Sequence, residues 1–115
     1  MEDIDLALIV NDDGTPRGVL DVSQIQSAAT VMMYEYAVAA GDDDATDRVG
    51  IEWAQILPPD ELGYTTAAAL SLLARNVLGP LLQVLDAVSP ELGADLRAKL
   101  VESRDYAQAT LGGGR

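Results

Sequence analysis

The chain has 115 residues, with 19 acidic and 7 basic side chains, no cysteine and no histidine. A hydrophobic fraction of 49% against 23% charged is that of one globular domain and excludes wholesale disorder. Without Cys or His there is no disulfide, no zinc site of the usual kind, no imidazole general base and no Cys–His nucleophile, and a net charge of −12 argues against direct nucleic-acid binding or an anionic membrane.

The first residues, Met1-Glu2-Asp3-Ile4-Asp5, are acidic where a secretory signal is basic. Ile4 to Val10 is an apolar, β-branched run of strand length. Asn11-Asp12-Asp13-Gly14-Thr15-Pro16 is dense in turn formers, and Val19-Leu20-Asp21-Val22 is a second short apolar run. Together they predict an N-terminal β-hairpin over about residues 4–22. Such a ribbon is marginal alone and must pack on helices or pair with another chain's edge.

Ser23-Gln24-Ile25-Gln26 fits a capping box, opening a helix that stops at Gly41. Glu35 is that helix's only charge, and its apolar residues cover most of the circumference, so burial on more than one side is expected. Gly41 to Asp47 reads as a solvated acidic loop. Val49, Trp53, Ile56 and Leu57 recur at helical spacing, but the alternation at Ile51, Trp53 and Leu57 fits a strand nearly as well. Pro59-Asp60-Glu61-Leu62 reads as a short helical turn, and Thr65 or Thr66 as the cap of a Leu-rich helix.

Gly79-Pro80 should kink or split that helix, because Pro80 has no N–H to give to the Asn76 carbonyl. Arg75, Asn76, Pro80, Gln83 and Asp86 interrupt the Leu-rich segment, which argues against a membrane span and for a cytoplasmic protein. Ser89-Pro90-Glu91 is a strong helix start. The last helix carries Leu92, Leu96, Leu100, Ala107 and Leu111 on one side and an Asp95–Lys99 pair on the other, and ends in a flexible tail over 112–115. The fold class predicted is mainly α: a small bundle of four to five helices with an N-terminal hairpin, one domain over 1–111. The usage of 17 Ala, 6 Arg and 1 Lys suggests a high-GC bacterial or phage genome.

Two short stretches resemble known motifs. Leu8 to Thr15 is similar to the first motif of haloacid-dehalogenase-type phosphatases, an apolar strand followed by Asp-x-Asp-Gly-Thr. That chemistry needs a carboxylate as nucleophile and magnesium ligand, and Asn11 occupies its place. Ala7 to Ala28 resembles the strand–turn–strand–helix end of a cystathionine-β-synthase-type nucleotide-binding module, without the preceding element or a paired copy. Neither resemblance carries a function. Asp42, Asp43, Asp44 and Asp47 lack the spacing of an EF-hand calcium loop.

Charge divides sharply along the chain: residues 1–62 hold 14 acids and 2 bases, residues 63–115 five of each. Two helices apolar around most of their circumference need more covering than a small monomer supplies. The expectation is therefore a non-enzymatic interaction module that self-associates as a homo-oligomer, a dimer favoured, through Met32, Met33, Tyr36, Leu72 and Leu82. The alternative is an acidic surface of Asp12, Asp13, Asp42, Asp43, Asp44 and Asp47 engaging a basic protein, as a nucleic-acid mimic, antitoxin-like inhibitor or phage protein. Trp53 is expected in the core, with a binding anchor as the other reading. Glu35 is expected to point outward or to pair with Arg48 or Arg75. A small enzyme or ligand carrier, the third class, needs Glu35, Tyr34, Tyr64 or Arg75 turned into a pocket. No cofactor or metal is expected.

Overall fold

In the computed structural model the backbone is described over residues 6–10 and 16–111, and side chains over residues 21–111. The protein is mainly α, with helices α1 (Val22–Ala39), α2 (Asp43–Ile56), α3 (Pro59–Leu73), α4 (Gly79–Val88) and α5 (Pro90–Leu111). A π-helical turn, Ala74–Leu78, lies between α3 and α4. The chain divides into two compact units, Met1–Val77 and Leu78–Arg115, a boundary the sequence reading did not draw.

The expected N-terminal β-hairpin is not supported as part of this fold. Extended, antiparallel backbone at Leu6–Val10 and Pro16–Asp21 is all that is described there, and among the described residues the core is made by helices. Two strands alone bury too little to hold themselves. The C-terminal end of the expected hairpin is also displaced. Asp21 is the N-cap of α1, accepting a hydrogen bond from the Gln24 amide at 3.1 Å, and Val22 is already helical. Asp21 thus takes the role expected of Ser23, because its carboxylate is the acceptor that reaches the orphan N–H.

In the N-terminal unit α1 packs on α3 and, less extensively, on α2. The core holds Ala29, Met32, Met33 and Ala69, with Tyr36, Trp53, Leu62, Leu72 and Leu73 against it. Small side chains at Ala29 and Ala69 let the helices approach, and the two thioethers fill what remains. Gly41, at φ +91°, ends α1 as expected of a left-handed C′ residue.

The acidic stretch after it is not a loop. Asp42 caps α2 by accepting from the Ala45 amide at 3.0 Å, and Asp43 and Asp44 form its first turn. Carboxylates there complement the positive end of the helix dipole. The ambiguity over residues 48–57 resolves as helix. Pro59 likewise opens α3 outright, so Thr65 is a buried mid-helix residue and not a cap.

The expected interruption at Gly79-Pro80 is present as the π turn just ahead of it. A wider hydrogen-bonding register absorbs the donor that Pro80 lacks.

In the C-terminal unit α4 packs against α5. Ser89 Oγ accepts from the Leu92 amide at 3.3 Å, as its position before Pro90 predicts. Gly93 is the closest point of approach: a Cβ there would fall on Asp86 Oδ1 and lie 3.2 Å from Asp86 Cα. Arg97 Nη2 bonds Asp86 Oδ2 at 2.8 Å, joining the two helices. Lys99 pairs with Glu102 at 3.5 Å and not with Asp95.

Candidate functional site

The C-terminal unit has almost no interior. Among its described residues only Gly93 is buried, although α4 and α5 are rich in leucine and valine. On α4, Leu81, Val84 and Val88 are 59%, 61% and 78% exposed, and their three- and four-residue spacing puts them on one face. On α5, Leu92, Leu96 and Leu100 repeat every fourth residue and are also exposed. Around them α5 carries charges of both signs at Asp95, Arg97, Lys99, Glu102, Arg104 and Asp105.

From Leu78 onward the chain carries five acids and four bases, so nearly all the negative charge belongs to the N-terminal unit, with fourteen acids and three bases. Asp86, by hydrogen bond and charge, holds the Arg97 guanidinium above its ordinary pKa.

The residues expected to self-associate fall elsewhere. Met32 and Met33 are 2% and 1% exposed, the centre of the N-terminal core, and are closed to a partner. Tyr36 and Leu72 pack against that core, and Leu82 is half-buried in α4. An apolar helix of this kind does not show which of its sides its own chain covers, and α3 covers the methionine side.

Asp42, Asp43, Asp44 and Asp47 are exposed at the start of α2. Asp12 and Asp13 lie outside the described residues, as does the 112–115 tail.

Trp53 is half-buried against the core, and its indole N–H donates to Glu35 Oε1 at 2.7 Å. Glu35 is exposed and takes this partner in place of Arg48 or Arg75. Tyr34, Tyr64 and Arg75 are exposed too. Among the described residues no group of three or more carboxylates is placed to hold a metal ion.

Helical backbone from Pro59 to Val88 is long and apolar enough, by length and composition only, to cross a membrane. Its most apolar 18 residues have a mean hydropathy of 1.4, and 6% of them are buried. No family model, no curated protein and no solved structure matches the chain.

Proposed function

We propose that the protein is a non-enzymatic interaction module that self-associates through the apolar faces of α4 and α5. One observation carries this reading: among its described residues the C-terminal unit buries a single glycine while displaying six aliphatic side chains in two helical stripes. Short helices owe most of their stability in water to tertiary packing, and two antiparallel helices from each of two chains close a four-helix arrangement around such stripes.

Charge favours a second copy as the occupant. The mixed signs along α5 are self-complementary across a two-fold axis, whereas the N-terminal units repel one another. The aspartates of α2 have a local role as cap and first turn of their helix, and that accounts for three of them without a basic partner.

We place the protein in the cytoplasm. Arg75 and Asn76 sit midway along the Pro59–Val88 helix, where a lipid environment penalises them.

Light scattering at micromolar concentration tests the proposal. Twice the 12.1 kDa chain mass is expected, falling to one chain in a Leu81→Lys/Leu96→Lys variant. A monomer of the native chain overturns it.

A further inference from the structure

The N-terminal unit contains a second feature, independent of the self-association surface. A cleft of about 450 Å³ opens between α1, α2 and α3, with Met32, Met33, Ala69 and Leu73 among its walls and Tyr36, Thr46 and Thr66 supplying its hydroxyls. Its volume falls within the range of small-molecule sites, roughly 300–1,000 Å³. A recess lined by Thr46, Asp47, Gly50 and Ile51 adjoins it, and Tyr36 is common to both. Gly50 leaves room for the phenol: a Cβ there would lie 3.1 Å from Tyr36 Oη.

We propose that this cleft is a binding site for an uncharged, mainly apolar small molecule carrying one hydroxyl or carbonyl oxygen. Among the described residues no charged side chain lines the cleft, although the unit around it carries fourteen acids and three bases. An anion is therefore repelled by the surrounding field, and Asp47 lines the adjoining recess, not the cleft itself. The same field opposes a second copy entering here.

The buried thioethers are polarizable and adapt to irregular apolar shapes. The polar groups that fix orientation are hydroxyls. Thr46 already donates to the Ala39 and Asp42 carbonyls, whereas the Tyr36 and Thr66 hydroxyls have no partner among the described residues. Each hydroxyl can bond a ligand oxygen.

The test uses the full chain labelled at methionine methyl carbons and titrated with 1-naphthol. Saturable binding of one naphthol per chain is expected, with the Met32 and Met33 methyl resonances moving together. Tyr36→Phe should weaken naphthol about fivefold, the loss of one hydrogen bond, and leave naphthalene unaffected. Thr66→Phe should abolish both; if circular dichroism shows that it does not fold, Leu70→Arg at the exposed rim should weaken both at least tenfold. Leu81→Lys/Leu96→Lys should change neither, which separates this site from the self-association surface. Absence of saturation, or saturable binding that leaves both methionine methyls unmoved, overturns the proposal. So does binding that survives folded Thr66→Phe or, where that variant does not fold, Leu70→Arg.

Discussion

Trp53 and Glu35, 18 positions apart, meet through one short hydrogen bond from the indole N–H to a carboxylate oxygen at 2.7 Å. It ties the middle of α2 to α1, while the Thr46 hydroxyl, donating to the Ala39 and Asp42 carbonyls, ties the start of α2 to the end of α1. Charged acceptors strengthen such bonds, and exposure to water weakens them. Glu35→Ala should therefore cost about 1 kcal/mol, and Glu35→Gln, which keeps a carbonyl acceptor, about half of that. Urea unfolding followed by the fluorescence of Trp53, the chain's one tryptophan, measures both. An unchanged midpoint for Glu35→Ala would show that the bond contributes nothing.

Gly93→Ala sets two effects against each other. Alanine gains about 1 kcal/mol of helix propensity over glycine, but its methyl group would fall on Asp86. Overpacking of that kind costs about 1–3 kcal/mol, and the Asp86–Arg97 bond would have to move with it. A net loss of about 1 kcal/mol is expected. Thermal melting by circular dichroism reads it, with Trp53 fluorescence reporting separately on the N-terminal unit.

Self-association through α4 and α5 should tighten as salt is raised. The proposed interface is apolar with balanced charges, and the acidic N-terminal units would repel at low ionic strength. Going from low salt to about 0.5 M shortens the Debye length several-fold and should lower the dimer dissociation constant. Sedimentation equilibrium at the two salt concentrations decides the sign. An acidic surface acting on a basic partner predicts the opposite dependence for that complex.

The Arg97–Asp86 pair raises the folded-state pKa of an already strongly basic group. A raised pKa gives stability that is complete below the unfolded value and lost only as pH rises through the folded one. From the arginine, then, no pH dependence arises anywhere near neutrality. The pair's own contribution to the melting temperature is expected to stay constant from neutral pH into the mildly alkaline range. Arg97→Ala should lower the melting temperature slightly at every pH in that range, because the pair is half exposed.

Helix boundaries were legible where one residue type has one local job. Ser89 ahead of Pro90 and Gly41 after α1 are such cases: a hydroxyl that reaches an orphan N–H, and a backbone that must turn left-handed. They were misread where two neighbours compete for a job. Asp21 and Ser23 are both good caps, and the geometry of chain entry decides between them. Asp42 to Asp44 look like a solvated loop by charge density, yet acids ahead of Ala45 are also what a helix start selects.

That the chain itself covers Met32 and Met33 was not legible, for a related reason. Apolar residues around the whole of α1 indicate burial without saying by what, and α3 of the same chain satisfies Met32 and Met33. The stripe of Leu92, Leu96 and Leu100 was visible, but that it stays exposed beside α4 was not. The cleft had a weak signal in Met32 and Tyr36 at i,i+4, set against Thr66, Ala69 and Leu73 on α3.

The paired methionines at the centre of the N-terminal core also make the fold vulnerable to oxidants. A chain without cysteine has no thiol to intercept peroxide, and Met32 and Met33 line a cleft that is the nearest approach to the core from outside. Conversion of either thioether to its sulfoxide places a polar, chiral group among Ala29, Ala69 and Leu73. Graded peroxide treatment should therefore produce oxidised chains that lose Trp53-reported structure in proportion to the sulfoxide at Met32 and Met33, read by peptide mass so that Met1 is counted apart. Filling the cleft with naphthol beforehand should slow that loss.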